Sequence, residues 1–152
     1  MSPRLVVRVQ PEDFDPAREA ALLTDGRTDV GALVTFTGLC RDESGRLAAL
    51  ELEHFPGMAE AQLTRIAEEA LVRWPLTGLV VLHRHGRIAP GENIVFVAAA
   101  SSHRQAAFEA ADFLMDFLKS RAPFWKKEIP VSGVGGDWVD ARDSDEARLA
   151  RW

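Results

Sequence analysis

The run Ile94-Val-Phe-Val-Ala-Ala-Ala100 contains seven consecutive apolar residues and no polar alternation. A strand with one wet face alternates polar and apolar side chains, so an unbroken run of this kind reads as a central strand covered on both faces. The chain has the means to cover it. At 152 residues, 47% hydrophobic and 27% charged, a folded domain hides roughly 70% of the surface its unfolded chain exposes, without metal or disulfide staples. Disordered, collagen-like and coiled-coil classes are set aside on the same composition.

The elements around that strand follow from local pattern. Leu5–Val9 reads as a short strand, and the polar turn Pro11–Asp15 leads to a brief helix, Pro16–Leu23. Gly31–Thr37 is rich in β-branched and aromatic residues and bounded by Gly31 and Gly38, which marks a second strand. Leu50, Leu52 and His54 alternate with Glu51 and Glu53, the period of a half-buried antiparallel strand. From Met58 to Trp74, Leu63, Ile66, Ala67, Ala70, Leu71 and Trp74 recur at helical spacing, and Pro75 stops the helix. Leu79–Arg84 and Asn93–Ala100 are strands joined by a turn whose Pro90-Gly91 suits a type II turn. Ser102 and Gln105 fit a capping box opening a helix from His103 to about Arg121, which Ala122-Pro123 ends. Phe124–Ile129 fits a strand, Ser132–Gly136 a flexible loop, and the acidic tail Trp138–Trp152 is assigned no element. With no repeat and no linker, the expectation is one α+β domain over residues 1–152.

Charge and cysteine usage narrow the function classes. The net charge is −5, from 18 basic and 23 acidic residues, whereas duplex nucleic-acid binding rests on many Lys and Arg contacts to phosphate. Cys40 is the only cysteine, so no intrachain disulfide and no cysteine-based zinc cluster can form, which suits a reducing cytoplasm. The Leu5-Val6-Val7 run meets a charge at Arg8, too soon for a signal-peptide core, and no apolar stretch approaches the roughly 18 residues that span a bilayer. The expectation is a cytoplasmic protein with neither a nucleic-acid nor a membrane partner.

Two places carry a chemical signal. His103-Arg104 opens a helix, where unpaired backbone N–H groups and the positive dipole end favour an anion and a guanidinium adds two-pronged binding. A solvated first-turn arginine is the bland account. The second place is Phe117–Lys127, which holds four bases and no acid, with Lys119, Arg121, Lys126 and Lys127 beside Phe124 and Trp125. The helix dipole explains Lys119 and Arg121 but not Lys126 and Lys127. Lysines crowded against apolar rings would have depressed pKa values and could exchange protons near neutrality. Strand alternation does not choose between Lys126 and Lys127.

Other constellations are weaker. His83 and His85 stand at strand spacing, a pair that could bind metal but lacks a third ligand nearby, so packed or surface histidines are the default. Cys40 beside Arg41 could be a thiolate, although a small buried thiol is the commoner case. Ser132-Gly-Val-Gly-Gly136 lacks the lysine and the strand-to-helix context of a phosphate-binding loop. Met115 and its Phe neighbours fit a core, and His54 a strand end.

Taken together, several segments resemble one family. These are Val34-Thr-Phe-Thr-Gly38 with Arg41, Leu52-Glu-His-Phe-Pro-Gly-Met58, His83-Arg-His-Gly86, Pro90-Gly-Glu92, Ser102-His-Arg104 and Leu118-Lys-Ser-Arg-Ala-Pro-Phe-Trp-Lys-Lys-Glu128. They resemble the large, catalytic subunit of molybdopterin synthase over nearly the whole chain, Lys119–Glu128 being the most specific part. The resemblance implies an α+β fold of hammerhead type, with an antiparallel sheet and two main helices, in a homodimer of large subunits. It implies a small ubiquitin-like sulfur-carrier subunit docked at each end, giving a heterotetramer, whose C-terminal Gly-Gly thiocarboxylate threads into a pocket. The implied reaction inserts two sulfurs into cyclic pyranopterin monophosphate to leave the dithiolene of molybdopterin, a step of molybdenum cofactor biosynthesis, with no metal or organic cofactor of the subunit's own.

The same resemblance assigns Arg41, His103 and Arg104 to anion binding and Lys119 and Lys126 to catalysis, and it alone picks Lys126 over Lys127. Arg142, within Trp138-Val-Asp-Ala-Arg142, matches an arginine delivered from the neighbouring subunit. The sequence departs from the family in a slightly shorter loop after Arg41, in Cys40 where an aliphatic residue is usual, and in the glycine-rich Val131–Gly136. Two other readings use the same features: a non-enzymatic adaptor that binds a ubiquitin-like tail, and an unrelated phosphate-ester enzyme built on the helix start. Asp137–Glu146 holds five acids and one arginine, so the net charge is a sum over opposed regions and leaves room for one small anion at the basic segment.

Overall fold

The structure, a computed structural model, describes residues 1–42, 44–133, 136, 138–139 and 143–152. Its elements in chain order are β1 (Arg4–Gln10), α1 (Pro16–Ala21), β2 (Ala32–Leu39), β3 (Leu47–His54), α2 (Met58–Arg73), β4 (Leu76–Arg84), β5 (Gly86–Ile88), β6 (Asn93–Ser101), α3 (Arg104–Ser120), β7 (Phe124–Pro130), β8 (Trp138–Val139) and α4 (Asp143–Leu149). The strands form two four-stranded sheets, ordered β1-β4-β6-β2 and β5-β3-β7-β8. The β1–β4 pair is parallel and the other described pairs are antiparallel. The α+β class with two main helices, α2 and α3, is the architecture expected from the sequence.

The unbroken run at 94–100 is explained by β6 lying inside its sheet between β4 and β2. Alternate residues enter different cores. Val95, Val97 and Ala99 meet the α2 and α3 side, with Leu63, Ile66, Ala110 and Leu114, whereas Phe96, Ala98 and Ala100 pack with Leu23, Val80, Leu82 and the half-buried Phe14. Each fully buried large side chain contributes about 1.5–3 kcal/mol by leaving water, so both faces of β6 favour the fold.

Helix ends account for much of the local detail. Asp15 caps α1 by accepting from the Ala17 N–H at 3.0 Å, with Pro16 at the first helical position, where its missing donor costs nothing. At α2, the Glu60 carboxylate accepts from the Gly57 N–H at 2.7 Å, and Gly57 supplies the left-handed φ of 83° that the turn from His54 requires. The capping box expected at Ser102 does not form. Ser102 donates instead to the Asp29 carbonyl at 3.2 Å, and Gln105 to Glu109 at 3.1 Å. His103 takes the N-cap place without a side-chain cap, while the buried Ser101 hydroxyl donates to the Pro75 carbonyl at 2.8 Å. The hydroxyl is thus drawn to a loop carbonyl that helix-start patterns do not reveal.

Three elements lie outside the expectations from sequence. β5 is three residues long and exists by pairing with β3, Leu50 opposite Ile88. The acidic tail supplies β8 and α4. Among the described residues no helix is long and apolar enough to cross a membrane.

Candidate active site

The two sheets and the C-terminal end of α3 enclose a groove of about 980 Å³. Lys119 enters from the last turn of α3, and Lys126 from β7. The two neighbouring lysines of β7 face opposite ways. Phe124, Lys126 and Glu128 line the groove together, whereas Lys127 points the other way and holds its ammonium 5.9 Å from the centre of the Trp138 ring. Apolar surface from Phe36, Met115, Leu118 and Phe124 gives the groove a floor on which a flat heterocycle can lie.

Arg41 stands at the mouth of this groove, just past the end of β2. Its neighbour is pinned twice to the β5–β6 turn: the Cys40 N–H donates to the Glu92 carbonyl at 2.8 Å, and the Gly91 N–H donates to the Cys40 carbonyl at 2.7 Å. Cys40 itself is 2% exposed, and burial pushes its thiol up from the ordinary value, as expected of a packed thiol rather than a nucleophile.

His83 is a groove residue that sequence reasoning left at its default. It sits on β4 on the same side as Val81, 5% exposed, with its ring stacked on Phe124 at 3.7 Å between centroids and 11° between planes. The Arg84 carbonyl lies 2.7 Å from its Nδ1 and can only accept, so Nδ1 carries the hydrogen and Nε2 keeps a lone pair. Burial, aided by the charges of Lys126 and Lys119, lowers its pKa to about 3 against the pull of the Arg84 carbonyl. The neutral imidazole therefore adds no charge to the lysine groove.

His85, the other member of the pair at strand spacing, packs against a further histidine. It stacks on His54 at 4.1 Å, and His54 in turn stacks on Phe124 at 6.0 Å, continuing the row of rings to His83; desolvation followed by the His54 charge lowers the His85 pKa. Among the described residues no group of three His, Cys, Asp or Glu is placed to hold a metal ion. Arg84, between the two histidines, is 4% exposed and donates to the carbonyls of Pro11 and Asn93 at 2.8 Å each. Its role in the fold is to tie the loop after β1 and the start of β6 to β4.

His103 and Arg104 lie elsewhere. Both are exposed at the start of α3, beside an open depression of about 600 Å³ shared with Gln105, Phe108 and Glu109. From Arg104 to Lys119 the helix rises about 22 Å, so one protomer brings together Arg41, Lys119 and Lys126 but not the pair at the helix start. Arg142 falls outside the described residues, as does part of the Ser132–Gly136 loop.

The chain is similar to known proteins over almost its entire length. Residues 9–121 match the family described as MoaE protein. The molybdopterin synthase catalytic subunit of Mesorhizobium japonicum is 67% identical over 146 residues, covering 96% of this chain and 92% of that one. A solved structure, the molybdopterin biosynthesis MoaE protein from Burkholderia ambifaria, superposes with a TM-score of 0.82 at 46% identity and covers 100% of this chain and 98% of its own. The crystal structure of molybdopterin synthase from Staphylococcus aureus matches at 28% identity with a TM-score of 0.77, covering 86% of this chain and 94% of that one.

Proposed function

The chain belongs to the MoaE family of molybdopterin synthase catalytic subunits, enzymes of molybdenum cofactor biosynthesis, and from that premise we propose that it is a sulfurtransferase. It takes sulfur from the C-terminal thiocarboxylate of a small ubiquitin-like subunit ending in Gly-Gly and delivers it to cyclic pyranopterin monophosphate. The product is the dithiolene of molybdopterin; in each transfer sulfur bonds to the pterin side-chain carbon and water cleaves the acyl carbon–sulfur bond, leaving the tail a carboxylate. The observation that carries this reading is the joint placement of Lys119 and Lys126 on a groove with an apolar floor and Arg41 at its mouth.

Both reactants are anions, and two ammonium groups in a partly enclosed groove attract them and stabilise charge that develops as sulfur attacks. Lys119, at the end of α3, polarises the thiocarboxylate or the pterin carbon under attack. Lys126 contacts phosphate or moves a proton. The aromatic and thioether side chains of Phe36, Phe124 and Met115 hold the ring system while the guanidinium of Arg41 takes the phosphate.

His103 and Arg104 enter this scheme through a second copy of the chain. A separation of about 22 Å along α3 keeps them from the lysines of their own protomer, whereas a homodimer can lay the start of one α3 against the groove of its partner. The uncapped helix start then adds backbone donors to the phosphate site. Arg142 is assigned to the same anion across the subunit boundary. The assembly proposed is a homodimer with one small subunit at each end, located in the cytoplasm.

The test is a single-turnover assay with thiocarboxylated small subunit and cyclic precursor, reading dithiolene formation. Lys119→Ala is expected to lower the rate by about a thousandfold while the protein stays folded and dimeric. Near-normal conversion by that variant contradicts the assignment, and tight small-subunit binding with unchanged precursor in the unmodified protein points to an adaptor.

A further inference from the structure

Asp116 is a charged side chain that the proposed reaction does not use, and it is 4% exposed. Three donors from the C-terminal arm converge on it: the Trp152 indole N–H at 2.5 Å, Arg151 at 2.7 Å and Arg148 at 3.1 Å. Burial pushes its carboxyl up, but these three hydrogen bonds outweigh burial and hold it below the ordinary value. Arg148 and Arg151 each also reach Asp112 at 2.9 Å, and Arg121 meets Glu146 at 2.6 Å. The Trp152 ring packs edge-on against Trp74 and Phe113, both 5.7 Å away. Isolated exposed ion pairs contribute little, but this set shares one buried carboxylate and one aromatic cluster.

The arm is fastened at a second point. Upstream of α4, β8 pairs with β7, Lys126 opposite Val139 and Lys127 opposite Trp138. A two-residue strand whose side chains are about half exposed has little stability of its own. Val139 and Asp143 are four residues apart, a span of about 14 Å at most, so anchoring α4 keeps β8 beside its partner strand. One arm therefore grips α3 a single turn before Lys119 and grips β7 at Lys126. It ties together the two elements that carry the groove lysines.

Resting on the sulfur-transfer reading above, we propose that the Asp116–Arg148–Arg151–Trp152 clasp is a positioning device for the reaction, bracing α3 against β7 so that Lys119 and Lys126 keep their relative placement. Asp116 and its partners touch no substrate. They act through the arm and the strand pairing it maintains.

The test uses the double variant R148E/R151E, whose changes lie on the exposed arm and repel it from Asp112 and Asp116, together with Trp152→Phe, which keeps an aromatic ring, though a smaller one, and removes one donor. Amide hydrogen exchange and single-turnover sulfur transfer are measured on the full-length chain. In R148E/R151E, exchange at residues 124–130 and 138–139 is expected to rise by about tenfold or more while β4 and β6 keep their protection. Sulfur transfer should fall by about tenfold, and Trp152→Phe should move both readouts in the same direction by less. The proposal is overturned if α4 amides exchange faster with no change at 126–127, or if the strand loosens while transfer is unaffected. Should the double variant lose protection in β6 as well, Trp152→Phe decides by the same two criteria. A wild-type chain that fails to convert the precursor overturns the sulfur-transfer reading, and the exchange data then judge the brace alone.

Discussion

The two sheets differ in what their exposed faces allow. In the sheet β1-β4-β6-β2, β6 is closed on both faces and its middle residues are inaccessible to water. The sheet β5-β3-β7-β8 is covered unevenly: Trp125 is 45% exposed and Trp138 52%, while Lys126 and Phe124 face the groove. The middle of a strand covered on both sides holds a frame, and only Ile94 and Val95, near its start, reach the groove. The proposed chemistry sits in the groove that the two sheets and the end of α3 enclose.

Substitutions can break that contrast. Phe96→Ala, in the frame, should cost about 3–5 kcal/mol through lost burial and a cavity, measured by chemical denaturation. A cost under about 1 kcal/mol would show that the frame is not closed as described. Trp125→Ala, which loses an exposed edge contact with Phe55 at 5.3 Å, should cost no more than about 1 kcal/mol in the same assay.

His83 tests the boundary between the two regions through pH. Its folded pKa is about 3 against an ordinary 6.5, so the unfolded chain binds the extra proton between those values. The stabilisation from keeping the ring neutral is complete above about pH 6.5 and is lost as pH falls toward 3, with a limiting slope near 1.4 kcal/mol per pH unit. Across this window the urea midpoint of wild type should fall relative to that of His83→Phe as pH falls. A constant difference would mean that the ring titrates normally in the fold. The smallest expected effect is that of Lys127→Ala, whose contact with Trp138 is an exposed cation–π pair contributing about 0.5–1 kcal/mol.

What the sequence discloses follows the same division. The strand at 94–100 and the helices over 58–74 and 103–121 were legible because two-sided burial and 3.6-residue periodicity leave repeated marks on many residues. β5 and β8 were not, because strands of three and two residues are created by their partners and carry no pattern of their own. Nor does local pattern reveal that Leu50–His54 and Phe124–Ile129 leave the first sheet to build a second. The acidic tail offers no element to local pattern because its helix is held by Asp112 and Asp116, some 30 residues upstream. At the site, residue chemistry marked the basic segment, but only the family resemblance chose Lys126, and only tertiary packing set His83 beside it. The separation of His103-Arg104 from the lysines is a helix length, invisible until both ends have somewhere to be.

The central claim is that the groove between the two sheets and the end of α3 performs sulfur transfer, and adjacent lysines on β7 test it most directly. Single-turnover dithiolene formation from thiocarboxylated small subunit should fall by about a hundredfold or more in Lys126→Ala and stay within about threefold of wild type in Lys127→Ala. Equal losses in the two variants, or retention of the rate in Lys126→Ala, would contradict the account.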